Sequence, residues 1–190
     1  PNSNAASYDP GPITQTTCFI RCSRRSGCTD YDGESNVVTI TLNPAPTLNA
    51  GSDISICNGQ SVVLTVNATN GTPTYTYTWP NPPGGTSKTV SPTTTTTYVI
   101  TVTDSKSCTA TDNVVVTVNG NPTASISGAS TVCSGNPLTL TASGAGTGGS
   151  YLWSNNATTA AITVSPSANT TYTVTVTNSS GCTASSSRAV

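Results

Sequence analysis

Seven cysteines and no histidine are set in a chain of 190 residues of which only 7% are charged. The chemistry this set supports is disulfide formation. A metal site would want cysteines two to four apart, usually with histidine, whereas Cys57, Cys108, Cys133 and Cys182 are widely spaced. Disulfides imply an oxidising compartment, so the chain is expected to be extracellular and at the cell surface. Without histidine the Ser–His and Cys–His nucleophilic arrangements are excluded. The few carboxylates are not paired for glycoside hydrolysis, and no glycine loop is of a phosphate-cradling form. The chain reads as a non-enzyme with no bound cofactor.

Two other groups of residues have side chains suited to binding. Asp30, Asp32 and Glu34 alternate oxygens in the stretch Asp30-Tyr31-Asp32-Gly33-Glu34, the best calcium candidate in the chain. It lacks a full EF-hand loop, and Arg21, Arg24 and Arg25 nearby suit a set of exposed ion pairs instead. Trp79 and Trp153 could be platforms for surface glycans. Their equal distance to a following cysteine, 108 − 79 = 29 and 182 − 153 = 29, argues for a shared core role, together with Tyr98 and Tyr172. Glycosylation sequons at Asn67, Asn70, Asn156, Asn169 and Asn178 are weak signals in so Asn- and Thr-rich a sequence.

The elements that must position these residues announce themselves by repetition. Thr171-Tyr172-Thr173-Val174-Thr175-Val176-Thr177 leads to Gly181-Cys182-Thr183, and Thr97-Tyr98-Val99-Ile100-Thr101-Val102-Thr103 leads to Ser107-Cys108-Thr109. A divergent copy runs from Thr17-Cys18-Phe19-Ile20-Arg21-Cys22 to Gly27-Cys28-Thr29. Strict alternation marks half-buried strands, with Tyr172, Val174 and Val176 on one face and threonines on the other. The repeat period follows from 133 − 57 = 76 and 182 − 108 = 74, too long for a solenoid repeat. Short alternating strands, turn signals such as Asn70-Gly71 and Pro82-Pro83-Gly84-Gly85, and a central-strand Trp indicate an all-β fold: tandem Ig-like β-sandwich modules of about 75 residues and about seven strands each.

The expected division is residues 1–43 as the C-terminal half of a first module, 44–46 as a proline linker, and 47–119 as a second module. A linker at 120–122 and a third module at 123–190, truncated in its last strand, complete it. With no Met, the chain reads as part of a longer or processed protein. Cys57 and Cys133 precede the first long strand of each module, and Cys108 and Cys182 lie in its last turn. The expected pairs are Cys57–Cys108 and Cys133–Cys182, each clipping one end of its own sandwich. Closing 108 − 57 = 51 residues would add on the order of 4 kcal/mol to a thin core. Cys18, Cys22 and Cys28 have no partner within this chain in that scheme. Cys18 and Cys22 fall on the face that carries Tyr172 and Val176, too far apart along the strand to bridge each other.

A net charge of −1 gives no field for nucleic acid or an anionic membrane, and no apolar run approaches the length of a bilayer span. Threonine-rich strand faces with few charges leave edges poorly defended, which points to lateral self-association.

The run Thr171 to Ala184, Ser91-Pro92-Thr93 ahead of Tyr98, and the Trp-centred strands resemble Ig-like and PKD-like tandem repeats of large Bacteroidetes surface proteins. The first half-module, from Tyr8-Asp9-Pro10-Gly11 to Glu34-Ser35-Asn36, is similar to a repeat of the same group. The resemblance implies a structural spacer in an adhesin stalk or surface fibre, of the kind found in SprB-like gliding adhesins exported by type IX secretion. Neighbouring repeats of the same polypeptide would then be its partners. Carbohydrate-binding accessory modules, or a subunit of a self-assembling extracellular filament, are the competing readings.

Overall fold

The computed structural model describes residues 11–19, 38–80 and 83–190. Its described elements are all strands: β1 (Thr17–Phe19), β2 (Val38–Ile40), β3 (Pro46–Asn49), β4 (Ile54–Cys57), β5 (Val62–Thr65), β6 (Asn67–Asn70), β7 (Thr76–Thr78), β8 (Ser87–Val90), β9 (Thr96–Thr103), β10 (Thr109–Asn119), β11 (Ser125–Ser127), β12 (Leu138–Ser143), β13 (Ser150–Trp153), β14 (Ala161–Val164), β15 (Thr171–Thr177) and β16 (Thr183–Ala189).

The last six strands form two three-stranded sheets, β11-β12-β14 and β13-β15-β16. All their pairings are antiparallel. This is the strand order of an Ig-like sandwich, with first, second and fourth strands on one sheet and third, fifth and sixth on the other. The alternation explains the layering. Leu140, Ala142, Ile162 and Val164 face Trp153, Val174 and Val176 in one core. The threonines on the opposite face of β15 meet serines of β16 across the ladder: Thr173–Ser187 hydroxyls lie 2.8 Å apart and Thr175–Ser185 3.1 Å. Hydroxyl pairs of this kind keep a strand surface polar without charge.

The strands between Pro46 and Asn119 repeat the plan. One sheet runs β4-β10-β9-β7, and the facing side holds the pairs β3–β6 and β5–β8. Leu64, Val66, Trp79, Val90, Ile100, Val102, Val114 and Val116 are buried. The added feature is β4, which pairs in parallel with the end of β10, Cys57 opposite Asn119. There are thus eight strands here and six in the C-terminal sandwich, on either side of the seven expected.

Both tryptophans hold the same post. Trp79 Nε1 donates to the Gly85 carbonyl at 2.7 Å, and Trp153 Nε1 to the Thr159 carbonyl at 2.9 Å, six residues downstream in each case. A buried indole thereby keeps its polar edge satisfied. Tyr98 and Tyr172, expected in the core, are only half-buried. The core position filled by Ile162 is taken in the other sandwich by Lys88, since Leu64 pairs with Lys88 as Leu140 pairs with Ile162. Lys88 is 9% exposed. Its ammonium lies 5.6 Å from the Trp79 ring centre and 5.9 Å from that of Tyr98, and it donates to the Pro80 carbonyl. The ring faces and a carbonyl replace water around the charge.

β1 pairs antiparallel with β2, Cys18 opposite Thr39. Cys18 is exposed while Thr17 and Phe19 are half-buried, the reverse of the inward position expected for it. Side chains alternate, so a one-residue change of register between the divergent copy and its relatives moves the whole set to the other face. Val38, Ile40 and Leu42 are 52%, 41% and 49% exposed. By proximity the chain gathers into two compact units. Pro1–Leu48 goes with Ala68–Tyr77 and Thr101–Thr111, and Asn49–Asn67 goes with Thr78–Ile100 and Asp112–Val190.

Gly149 opens β13 where two carbonyls crowd it: an added Cβ would lie 2.3 Å from the Ala145 oxygen and 2.4 Å from that of Thr177. Gly120 has open space around it. Gly149→Ala is therefore expected to cost about 1–3 kcal/mol or more in urea unfolding, with Gly120→Ala close to neutral. Equal effects of the two substitutions would contradict the tight approach.

Candidate functional site

The chemistry of this chain is concentrated in its cysteines, and two turn designs present them. In the first design a cysteine opens a four-residue turn. Gln60 N donates to Cys57 O at 3.0 Å and Asn136 N to Cys133 O at 2.9 Å. The third residue is a glycine with positive φ, Gly59 at 88° and Gly135 at 77°. That conformation at the third position suits glycine. We call Cys57 and Cys133 the leading cysteines.

In the second design a cysteine closes the hairpin before the last strand. Asp104 N donates to Cys108 O, and Asn178 N to Cys182 O, both at 2.9 Å. The side chain at the head of the turn caps it from inside. Asp104 Oδ1 accepts from Lys106 N and Cys108 N at 2.9 Å each, and Asn178 Oδ1 accepts from Ser180 N at 3.1 Å and Cys182 N at 3.0 Å. Asp and Asn are suited to such turns because a short side-chain oxygen can reach the backbone two residues on. We call Cys108 and Cys182 the hairpin cysteines.

The second atom of each cap differs. Asp104 Oδ2 accepts from Thr72 N at 2.9 Å, whereas Asn178 Nδ2 donates to Gly120 O at 2.9 Å. Asp stands where the facing group is a donor, and Asn where it is an acceptor. Asp104 is 5% exposed. The Thr72 N–H foremost, against the opposing effect of burial, holds its carboxyl below the usual 3.8, aided by the N–H groups of Cys108 and Lys106 and the Lys106 charge.

The disulfide joins one cysteine of each design, and it does not close either sandwich on itself. Cys57 is bonded to Cys182, 125 residues away, with Cα atoms 5.6 Å apart. This corrects the expected Cys57–Cys108 and Cys133–Cys182 pairs. Cys57 sits opposite the last residue of β10, and Cys108 precedes its first. An eleven-residue strand separates such positions by roughly 30 Å, against a Cα limit near 7 Å for a disulfide. In the C-terminal sandwich Cys182 precedes the first residue of β16. Next to Cys133, by contrast, Gly135 N donates to Pro166 O, near the end where Thr170 and Val190 exchange hydrogen bonds. Each sandwich thus carries its two cysteines at opposite ends.

Around the bond the contacts are polar. Asn58 N donates to Asn119 O at 2.9 Å and Asn121 Nδ2 to Asn58 O at 3.0 Å. Cys57 N is capped by Gln60 Oε1 at 3.0 Å. Asn58, Gln60, Asn121, Gly181 and Thr183 line a shallow recess beside the bond. Cys182 is fully buried and Cys57 half-buried.

Cys108, half-buried, and the exposed Cys133 and Cys18 are free thiols. Cys18 Sγ lies 3.5 Å from Thr39 Oγ1. Cys22, Cys28 and the calcium candidates Asp30, Asp32 and Glu34 lie outside the described residues. Among the described residues no three of His, Cys, Asp and Glu are grouped closely enough to hold a metal ion, and no helix is long and apolar enough to cross a membrane.

No family model matches this chain, and no curated protein does. Among solved structures it is similar to an I-band fragment of titin, at 15% identity and a TM-score of 0.45, over 78% of this chain and 65% of that one. It is also similar to the Sidekick-1 immunoglobulin domains 1–5, at 14% identity and a TM-score of 0.45, over 78% of this chain and 39% of that one. A third likeness is to three N-terminal domains of the Highly Immunogenic Outer Capsid protein of bacteriophage RB49, at 22% identity and a TM-score of 0.33, over 77% and 57%.

Two outcomes test the site. Cys182→Ser should lower stability by about 2–5 kcal/mol under non-reducing conditions, while Cys108→Ser and Cys133→Ser leave it unchanged; losses of similar size on Cys108→Ser and Cys133→Ser would restore the pairing within each sandwich. Asp104 has a lowered carboxyl pKa, so its stabilisation is present above pH 3.8 and is lost as pH falls through the lower folded value. Asp104→Asn should turn an amide N–H toward that of Thr72, lower the melting midpoint at pH 7, and flatten the acid limb of the stability–pH curve.

Proposed function

We propose that this chain is a structural spacer: a run of Ig-like repeats in an extracellular adhesin stalk or surface fibre, without catalytic activity. The observation that supports this most is the Cys57–Cys182 bond, which joins successive sandwiches rather than closing one. An enzyme or a discrete binding domain gains little from such a link. A load-bearing array gains a second covalent connection beside the peptide linker. On this reading residues 1–43, 47–119 and 123–190 belong to successive repeats, and the adjoining repeats are its partners.

The resemblance to Bacteroidetes surface repeats supports the adhesin setting, SprB-like gliding adhesins included. Lateral association of neighbouring stalks is a further part of the proposal, in keeping with exposed Val63, Val99 and Leu152 at 56%, 54% and 53%. Sugar binding through the tryptophans finds less support, since Trp79 and Trp153 are 5% and 1% exposed and both indole N–H groups are engaged.

The mechanical consequence can be measured. When the chain is pulled from its two ends, tension crosses from Cys57 to Cys182 through sulfur, and the intervening residues stay out of the extended length. Single-molecule stretching with and without a reductant should differ by the 125-residue loop, roughly 40 nm at about 3.3–3.6 Å per residue. An identical contour length in both conditions would remove the load-bearing reading.

A further inference from the structure

The Cys57–Cys182 bond uses one leading cysteine and one hairpin cysteine, and it leaves one of each: Cys133 and Cys108. The leftover pair is held in the same two turns as the bonded pair. The turn that Cys133 opens matches that of Cys57 in its closing hydrogen bond and in its glycine of positive φ. Ser134 Oγ ties it to Ser167 O at 3.2 Å. The turn that ends at Cys108 matches that of Cys182 in both its backbone bond and its side-chain cap. The two bonded cysteines therefore serve as an internal template for the two free ones.

Resting on the spacer reading, we infer that each leading cysteine bonds the hairpin cysteine of the repeat that follows it. Cys133 is then the half-site for a hairpin cysteine on a following repeat, and Cys108 the half-site for a leading cysteine on a preceding one. The partner is a like sandwich presenting the complementary turn, carried either by the same polypeptide or by a second copy of this chain. Cys133 is exposed, as an acceptor of a new repeat must be.

Each such bond removes two protons and two electrons from two thiols. The oxidant required is a disulfide, small-molecule or protein. One thiolate attacks it to give a mixed disulfide and release a thiol. The partner thiolate then displaces the second thiol, so the oxidant leaves as two thiols.

The pattern has a consequence for extensibility. The bonds are staggered: the loop from Cys57 to Cys182 contains both Cys108 and Cys133. A covalent path that enters at Cys108 need follow only 133 − 108 = 25 residues of backbone before leaving through Cys133 to the repeat after next. Two repeats of about 75 residues would thus contribute one short segment to the length under tension. The fibre becomes close to inextensible until it is reduced.

The test is non-reducing peptide mapping by mass spectrometry on protein from its native source, with free thiols alkylated at harvest. The Cys57–Cys182 peptide is the internal reference, and its absence would remove the spacer reading itself. With that peptide present, Cys133 should appear bonded to a hairpin-type cysteine and Cys108 to a leading-type cysteine. Partner peptides of foreign repeat sequence would place the bond within a longer polypeptide. A Cys133–Cys108 peptide containing one isotopically heavy and one light half, from mixed labelled cultures, would place it between copies. A Cys133→Ser variant should leave the partner cysteine alkylated. Recovery of Cys108 and Cys133 as free thiols, as small-thiol adducts, or bonded to each other within one chain would overturn the inference while leaving the reference bond intact.

Discussion

The parallel pairing of β4 with the end of β10 is the constraint on which the cysteine arrangement depends. A parallel partner must run in the same direction, so the last residue of β4 is carried to the last residue of β10, and Cys57 comes to lie opposite Asn119. An antiparallel partner on the same segment would have set Cys57 opposite Val116, inside the strand and away from the exit at Asn119. From that one choice the rest follows locally. Asn58 N bonds the Asn119 carbonyl, Asn121 reaches back to Asn58, and the backbone at Gly120 meets the cap of the next hairpin through Asn178. The chain leaves one sandwich at the point where its leading cysteine stands, and the hairpin cysteine of the next is delivered there.

The hairpin turn recurs in both sandwiches, and its capping residue shows how one motif is fitted to two surroundings. Asp104 and Asn178 both bind the turn through one oxygen, which leaves their second atom to read the neighbouring backbone. A carboxylate oxygen faces an N–H at Thr72, and an amide nitrogen faces a carbonyl at Gly120. Exchanging the two residues would set like against like at both places, and at the buried Asp104 position an unmatched donor costs more than a matched one contributes.

Much of this was legible in the sequence. The alternation of Tyr172, Val174 and Val176, the repeat period and the equal Trp-to-Cys distances pointed to sandwiches with a shared tryptophan post, and the structure gives both indoles the same hydrogen bond. The partners of the cysteines were not legible from spacing. In a periodic chain a leading cysteine stands at a constant distance from the hairpin cysteine of its own repeat, and equally from that of the next. Topology carried the missing signal: β4 running alongside the last strand of its sandwich puts the cysteine that ends it at the exit. Lys88 was invisible for a different reason. It occupies a position that periodicity assigns to the core, and the two aromatic faces and the Pro80 carbonyl around its ammonium help to make a charge tolerable there. The inward placing of Cys18 failed because its short strand follows the other parity.

Around Cys57–Cys182 the noncovalent contacts are backbone and amide hydrogen bonds between asparagines, glycine and glutamine. Each is worth about 0.5–1.5 kcal/mol net where it is sheltered, and less where water competes. The recess beside the bond is lined by Cys57, by polar side chains and by glycines. Contacts of this kind fix the turn at Cys57 and the segment that follows β10. The hydrogen bonds keep both cysteines presented in the geometry that the sulfur–sulfur bond needs. The arrangement rests on a division of labour: turns built from Asx caps and glycines fix direction, and oxidation fixes connection.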